Sequence, residues 1–291
     1  MTKRSVEAVL APPPPHMVGD GFRVSNFFPQ GYNMAQDRLS PFFLLDYGPP
    51  VDFSPREEPR GVGVHPHRGF KTVTFGFKGK VAHHDSAGHS GVIGEGDVQW
   101  MTAGSGVLHK EYHEKEFSKT GGPFHMAQLW VNLPAKHKME APRYQPIKAA
   151  DMAVMQLPDG KSEARVIAGE LFGMKGPAIT WSPIIASVLR IGVGGEAAFN
   201  LPKDFNSVAL VVEGSAQVNG SDAPTDHLVV FRNDGEEVNA TSSKGATLLV
   251  LSGEPLNEPI AAYGPFVMNT YDEIKQAFED VAAGKFGVLE D

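Results

Sequence analysis

The sequence of 291 residues contains no cysteine. This absence excludes disulfide bonds, thiolate metal ligands, iron–sulfur clusters and a cysteine nucleophile. Any metal ion would therefore be held by imidazole and carboxylate groups, which suit iron, manganese, zinc, copper or nickel. A chain without cysteine is compatible with any compartment, and a reducing cytosol is the default expectation.

Long apolar runs and basic clusters are also missing. No stretch approaches the roughly 18 apolar residues of a membrane-spanning helix, and no apolar signal segment follows the charged residues at the start. Lysine and arginine total 26 against 34 acidic residues, a formal net charge of −8. This balance argues against direct nucleic-acid binding, which needs a basic face to displace phosphate counterions. We therefore expect a cytoplasmic protein without membrane association, present in the nucleus as well if the source is eukaryotic.

Glycine and proline are abundant, with 32 and 23 residues, and they separate short apolar segments. That texture predicts an all-β protein with many turns. Val73, Phe75 and Phe77 alternate with small or polar residues, the period-two pattern of a half-buried strand. Further strands are predicted at residues 128–133, 184–191, 207–212 and 246–251.

One helix is predicted near the C-terminus. Thr270 and Glu273 have the spacing of a capping box, which begins a helix, and Gly284 is placed to end it. The apolar residues that follow the cap share one helical face: Ile274, Ala277, Phe278 and Val281. We expect this face to pack on a β-barrel.

The polar segment 138–146 is the best candidate for a linker between two domains. It separates residues 1–137 from residues 147–291, and each part has the size of one domain. A strand, a tight turn and a second strand are predicted at residues 76–81 and again at residues 211–218. This repeated pattern of strand, turn and strand supports an old duplication of one domain.

Histidines are concentrated in the first half of the chain, with nine of the eleven between positions 65 and 137. His65 and His67 would point to the same face of a strand, where their nitrogens could share one metal ion at about 2 Å. His109 and Glu111 repeat this spacing with an imidazole and a carboxylate. Two strands in a barrel interior could bring the four groups together and leave coordination positions open. Either pair alone also occurs in loops without metal. Whether these residues are metal ligands therefore depends on the flanking sequence.

That flanking sequence resembles the pirin family of the cupin superfamily. The matching segments are HPHRGF at 65–70, GDVQWMTAG at 96–104, HKE at 109–111, GPFVMNT at 264–270 and GKFG at 284–287. They extend over nearly the whole chain. The resemblance implies a bicupin, in which two antiparallel jelly-roll barrels face each other and a short helix closes the chain.

The resemblance also implies the metal and its ligands. Residues 1–137 would form a metal-binding cupin barrel, and residues 147–291 a second cupin barrel without metal, together with the C-terminal helix. Fe(II) would be bound by His65, His67, His109 and Glu111. Copper, manganese, cobalt, nickel and zinc stay open, because the affinity of this ligand set alone would favour copper or zinc.

Two functions follow from the resemblance. Some pirins are similar to quercetin 2,3-dioxygenases, which cleave flavonols with O₂; here Glu111 would be the catalytic residue that accepts the proton of the substrate 3-hydroxyl. The alternative is an iron-dependent redox-sensing regulator that binds a transcription factor or a metabolic enzyme. The enzyme is favoured because the ligand set leaves open positions, whereas a purely structural site would be closed. The expected partners are a small flavonol-like aromatic substrate and O₂, with a protein partner in the second case, and we expect a monomer.

Two features near the predicted ligands remain open. The general cupin pattern has a glutamate four residues after the second histidine, and Lys71 stands there. In a strand without a bulge, Lys71 would face the metal side and could pair with Glu95 or Glu111. A second expectation concerns His83, His84 and His89: one of them lines the site or orients a ligand, unless all three lie in a solvated turn.

Overall fold

The computed structural model describes residues 2–32 and 34–290. Its strands in the first half of the chain are β1 (Val6–Leu10), β2 (His16–Val18), β3 (Phe22–Phe28), β4 (Phe42–Phe53), β5 (Gly61–His67), β6 (Phe70–Lys78), β7 (Val81–Asp85), β8 (Ser90–Ile93), β9 (Val98–Thr102), β10 (Val107–His113), β11 (Gly122–Asn132) and β12 (Arg143–Ile147). The strands that follow are β13 (Val154–Gln156), β14 (Glu163–Ala168), β15 (Glu170–Leu171), β16 (Met174–Lys175), β17 (Ile184–Ile191), β18 (Gly195–Asn200), β19 (Asn206–Gly214), β20 (Ala216–Val218), β21 (Ser221–Ala223), β22 (Leu228–Phe231), β23 (Glu237–Ser242), β24 (Ala246–Gly253), β25 (Ala261–Tyr263) and β26 (Phe266–Met268). The α-helices are α1 (Lys115–Thr120) and α2 (Tyr271–Ala282).

The chain folds into two compact units. We call residues 13–37, 42–149 and 257–291 the histidine unit, and residues 1–12, 38–41 and 150–256 the apolar unit. The histidine unit has a seven-stranded sheet in the order β12-β9-β6-β11-β4-β3-β2 and a four-stranded sheet in the order β5-β10-β7-β8. All pairings within these two sheets are antiparallel. The predicted all-β cupin fold is confirmed.

The apolar unit repeats this arrangement. Its seven-stranded sheet has the order β1-β22-β19-β24-β17-β14-β13, and its four-stranded sheet has the order β18-β23-β20-β21. The strand pairs β6–β7 and β19–β20, which the sequence singled out, occupy equivalent positions in the two units. The common topology supports the predicted duplication.

The grouping of the chain ends differs from the division expected from the sequence. Strand β1 belongs to the apolar unit because it pairs with β22, from Val6 opposite Phe231 to Leu10 opposite Leu228. Helix α2 belongs to the histidine unit, where it packs with β25 and β26. The expected linker 138–146 also lies in the histidine unit, and β12 begins within it and pairs with β9.

The predicted strands are present, with β17 at the predicted bounds and β24 and β19 slightly longer than predicted. Strand β6 is not half-buried, as its alternation suggested, because residues 70–76 are buried on both faces. Helix α2 has the predicted capping box between Thr270 and Glu273. Ile274 and Ala277 are buried on its packed face. No helix in the described part of the chain is long and apolar enough to cross a membrane.

Candidate metal centre

Three of the four predicted ligands meet between neighbouring strands of the four-stranded sheet. Strands β5 and β10 run antiparallel with His65 directly opposite His109, and His67 lies two residues along β5 on the same face. One ligand atom from each of the three imidazoles lies within 4.8 Å of the other two. His67 and His109 are buried, while His65 is half-buried. This convergence is what a mononuclear metal site requires.

Hydrogen bonds fix which nitrogen each imidazole presents to the centre. The Nδ1 atom of His65 lies 2.8 Å from the carbonyl oxygen of Gly63, and the Nδ1 atom of His67 lies 3.3 Å from that of Pro265. A carbonyl oxygen only accepts, so both Nδ1 atoms donate, and the Nε2 atoms are the ones that can serve as metal ligands. Burial and the neighbouring imidazoles lower the pKa of His67 well below its usual value, so its ring is neutral at pH 7.

His109 is the third imidazole of the centre, and its ring contacts His83. The two Nδ1 atoms are 3.4 Å apart, and the Nε2 atom of His109 is buried with no hydrogen-bond partner among the described residues. A buried nitrogen without a partner is costly in a protein interior. A bound metal ion would satisfy it. Burial, with His67 and His65 nearby, lowers the pKa of His109 well below its usual value, which leaves this ring neutral as a ligand must be.

Glu111 is held in place by the opposite sheet. Its Oε2 atom accepts a 2.8 Å hydrogen bond from Gln128, and its Oε1 atom accepts longer bonds from Gln99 (3.3 Å) and Thr74 (3.4 Å). A ligand atom of Glu111 also lies within 4.8 Å of one from His83 and one from His109. Glu111 thus shares His109 with the first group of three imidazoles. The described residues contain enough nitrogen and oxygen donors at this point to hold a metal ion.

Of the three histidines between positions 83 and 89, His83 lies beside the centre. It is fully buried, its ring stacks on Tyr144, and its Nε2 atom lies 3.6 Å from the Oδ2 atom of Asp85. His89 lies farther out, with its Nδ1 atom 3.0 Å from the same Asp85 oxygen. The exposed His84 bonds Tyr112 instead. The expectation that one of the three adjoins the site therefore holds for His83.

The carboxyl group of Asp85 lies next to the rings of both His83 and His89. Burial alone would raise the pKa of its carboxyl, but the nearby His83 ring and the hydrogen bonds from the His89 backbone and the His89 ring outweigh burial and lower it. The Ala87 backbone N–H donates a further hydrogen bond of 2.9 Å. Asp85 therefore presents a carboxylate to the His83 ring.

Lys71 does not face the centre. Strand β6 begins after Gly69, whose φ of +89° and close approach to the Val267 carbonyl leave no room for a Cβ atom. Thr74 points to Glu111, so Lys71, at odd spacing from it, points to the other face of the sheet. There its Nζ atom donates to Thr102 Oγ1 at 2.7 Å. Burial lowers the pKa of Lys71 to about 7.

A cavity of about 350 Å³ opens beside the predicted ligands. His65, His67 and Glu111 line one part of it. Apolar side chains make up most of the remaining wall: Val18, Phe22, Val24, Val62, Met126 and Trp130. The size and the mixed lining are typical of a site for a small organic molecule.

Several side chains of this site were missed from the sequence. Gln99, Thr74 and Gln128 hold Glu111, and Asp46 lines the cavity. The available signal was a polar residue inside an otherwise apolar strand, as at Asp46 after residues 42–45. Their common orientation, however, depends on the register between strands.

The apolar unit has no comparable donor set on the equivalent strands. The buried residues of β18 include Ala197 and Phe199, and those of β23 include Val238 and Ala240. These side chains belong to an apolar cluster that fills the core of the unit. None of the four carries a metal-binding atom.

Comparison with known proteins is consistent with this geometry. Residues 21–131 match the model of the Pirin family, and residues 187–287 match that of the Pirin C-terminal cupin domain. A Pseudomonas aeruginosa protein, named provisionally as a quercetin 2,3-dioxygenase, is 48% identical over 271 residues, which cover 93% of this chain and 94% of the relative. Human pirin is 36% identical over 255 residues, covering 86% of this chain and 83% of its own length. A crystal structure of quercetin 2,3-dioxygenase from Acinetobacter baumannii has a TM-score of 0.93 at 44% identity and covers 99% of this chain and 100% of that one.

Proposed function

The chain belongs to the pirin family, and we propose that it is a metal-dependent oxygenase of the quercetin 2,3-dioxygenase type, which cleaves a flavonol with O₂. The observation that carries this proposal is the convergence of three imidazoles beside a largely apolar cavity of about 350 Å³. The relatives named as quercetin 2,3-dioxygenases support the same reaction. A site buried for structural purposes alone would not need an adjoining cavity.

The proposed ligands are the Nε2 atoms of His65, His67 and His109 and the carboxylate of Glu111. We propose Fe(II) as the native ion, with copper, manganese, cobalt, nickel and zinc as the ions to compare with it. When bound, the ion would act as a Lewis acid that lowers the pKa of a coordinated substrate hydroxyl.

Glu111 is the proposed proton acceptor. The hydrogen bonds from Gln99, Thr74 and Gln128 fix the position of its carboxyl group. The O–H bond of the substrate 3-hydroxyl would break as its proton passes to a carboxylate oxygen of Glu111. The electron pair stays on the substrate oxygen, which makes the flavonol ring electron-rich before it reacts with O₂.

The cavity wall supports the proposal of a flat aromatic substrate. Phe22, Val62 and Trp130 offer apolar surfaces to aromatic rings. Trp130 also stacks on Phe70 with ring centroids 4.2 Å apart, and its ring lies 5.1 Å from that of His67. Its orientation is therefore fixed next to the centre, where it can exclude water from the reacting ring.

The reaction is tested with protein loaded with one metal at a time. Under air, the iron-loaded protein should consume quercetin, measured by loss of its absorbance, and release carbon monoxide. Absence of turnover with iron, copper, manganese, cobalt and nickel would overturn the oxygenase proposal. A protein that binds iron reversibly and changes its partner affinity with the iron oxidation state would favour the redox-sensing regulator instead.

The ligand set is tested by elemental analysis of purified variants. His65→Ala, His109→Ala and Glu111→Ala should each reduce the bound metal from one equivalent to less than roughly a tenth, because a lost donor weakens a four-donor site strongly. His84→Ala is the matched control, since His84 is exposed and bonds Tyr112. A full equivalent of metal in any of the first three variants would show that the altered residue is not a ligand.

A further inference from the structure

A row of five polar residues crosses the seven-stranded sheet of the histidine unit beneath the cavity. The strand register places them opposite one another in the order Asn26, Asp46, Gln128, Thr74 and Gln99 on β3, β4, β11, β6 and β9. Directly opposed residues point to the same face, and neighbouring strands are about 4.8 Å apart. The row therefore forms a polar band next to apolar cavity residues such as Met126 and Trp130.

The two ends of this row differ in the number of hydrogen bonds that the carboxyl group at each end accepts. Gln128, Thr74 and Gln99 all donate to Glu111, so that carboxylate receives three donors. At the other end, Asp46 Oδ1 accepts one hydrogen bond of 2.7 Å from Asn26. Within residues 2–32 and 34–290, the structure gives the Asp46 carboxyl no other hydrogen bond. A carboxylate has about four acceptor positions, so most of the capacity of Asp46 is unused.

Asp46 lines the same cavity as His65, His67 and Glu111. It lies directly opposite Gln128 on the neighbouring strand, and Gln128 bonds Glu111. Gln128 therefore links Asp46 to the proposed ligand Glu111. Burial raises the pKa of Asp46, and the bond from Asn26 and the charge of nearby His16 offset this only in part. A group that enters the cavity and donates a hydrogen bond would relieve this cost.

We propose that Asp46 is a substrate-recognition residue, whose carboxyl accepts a hydrogen bond from a hydroxyl group on the part of an aromatic substrate that lies away from Glu111. The inference rests on the proposed function, because it takes a hydroxylated aromatic molecule as the ligand of the cavity. Outside the polar row, the same cavity is lined by apolar side chains that include Val24 and Met126. The ligand class is therefore a flat polyphenol: one hydroxyl at the metal end, an apolar body, and a second hydroxyl at Asp46.

The test uses binding rather than turnover. Zinc-loaded protein is titrated with quercetin and with 3-hydroxyflavone, which keeps the 3-hydroxyl and the adjacent carbonyl but lacks the other hydroxyls. Zinc has no redox chemistry, so both molecules stay intact while their Kd values are measured. The wild type should bind quercetin about 10-fold or more tightly than 3-hydroxyflavone, because a hydrogen bond to a charged acceptor is gained.

Asp46→Leu should remove this preference. We expect quercetin binding to weaken about 10-fold and 3-hydroxyflavone binding to stay within about 2-fold, since the second ligand has no hydroxyl to lose a partner. Asp52→Leu is the matched control, an exposed aspartate on the same strand. Asp46→Ala also removes the acceptor, so it provides the same comparison if the leucine variant does not fold.

Each outcome has a distinct meaning. Quercetin binding unchanged by both Asp46 substitutions would overturn the inference and leave the proposed function standing. An equal loss for the two flavonols would also overturn it, since Asp46 would then act only on the shape of the cavity. If the wild type binds neither flavonol, the proposed function and the inference both fall.

Discussion

The imidazole of His83 lies between His109 and Asp85 and determines which His109 nitrogen faces the centre. If His109 coordinates through Nε2, its Nδ1 atom must carry the proton and donate to His83 Nδ1, 3.4 Å away. His83 then carries its own proton on Nε2, which faces the Asp85 carboxylate at 3.6 Å. This arrangement predicts that His83 acts as a hydrogen-bond acceptor and is not itself a ligand.

Substitutions at His83 can separate these roles. The Oδ1 atom of asparagine lies close to the position of Nδ1, so His83→Asn should keep zinc affinity within a few-fold of the wild type. His83→Leu fills the space without an acceptor and should lower the affinity about 10- to 100-fold. Calorimetric zinc titration measures both variants, with His84→Leu as the surface control.

The number of bound imidazoles provides a second readout for His83. Copper-loaded wild type and variants should all show three imidazoles by pulsed electron paramagnetic resonance. A decrease by one in both His83 variants would identify His83 as a ligand, in agreement with the second donor group that it forms with His109 and Glu111. Equal affinities for the asparagine and leucine variants would also contradict the acceptor role.

His125 makes the histidine unit sensitive to acid. It is buried, its Nε2 atom lies 3.0 Å from the Tyr47 hydroxyl, and burial lowers its pKa to about 4. The unfolded chain has a histidine pKa near 6.5. The stability that the neutral ring contributes is therefore complete above about pH 6.5 and is lost as the pH falls through 4, because the unfolded state binds the proton first.

His125→Gln should remove this dependence, since the amide can still bond Tyr47 and does not titrate. Between pH 7 and pH 5 the wild type should lose about 2 kcal/mol more unfolding free energy than the variant. Urea unfolding of metal-free protein at several pH values measures the difference. Parallel pH profiles for the two proteins would rule out His125 as the source.

At the scale of elements, the sequence predicted what depends on local spacing. The His65 and His67 pair, the Thr270 capping box and the bounds of β17 each follow from residues within one turn or one strand. The expectation for Lys71 required an unbroken strand, and Gly69 instead lies between β5 and β6, which belong to different sheets. The Asp46 row could not be predicted, because it exists only through the register of five strands.

Lys138 joins three separate segments of the histidine unit. Its Nζ atom donates to the carbonyls of Gly69 and Val267, at 2.9 and 2.7 Å, and to the side chain of Asn132. These acceptors lie before β6, in β26 and at the end of β11. The residue is almost completely buried, and burial lowers its pKa to about 7.

Lys138→Met should destabilise the unit by about 2–4 kcal/mol, because three buried acceptors lose a donor. Lys136→Met is the matched control, since Lys136 is exposed two residues away and should change stability by less than about 0.5 kcal/mol. Denaturant unfolding of metal-free protein gives both values. Similar losses for the two variants would show that the hydrogen bonds of Lys138 are not the cause.

At the scale of the whole molecule, each unit includes a segment from the other end of the chain. The first strand joins the apolar unit, and the C-terminal segment with β25, β26 and α2 joins the histidine unit. Both segments are joined to their units through buried arginines. Arg4 donates to the Pro202 carbonyl at 2.8 Å and to Asn233 Oδ1 at 3.0 Å. Arg68 pairs with Asp280 of α2 at 2.8 Å and lies next to the predicted ligand His67.

The same substitution at these two arginines should therefore affect different properties, zinc affinity in one case and stability in the other. Arg68→Met should weaken zinc binding about 10-fold, because the Arg68 contacts hold the segment whose Pro265 carbonyl orients His67. Arg4→Met should destabilise the apolar unit by about 2–4 kcal/mol through lost hydrogen bonds to buried acceptors, and leave zinc affinity unchanged. Hydrogen-exchange mass spectrometry should locate increased exchange in residues 150–256 for Arg4→Met and in the histidine unit for Arg68→Met. A loss of zinc affinity in the Arg4 variant equal to that in the Arg68 variant would contradict this assignment of the chain ends.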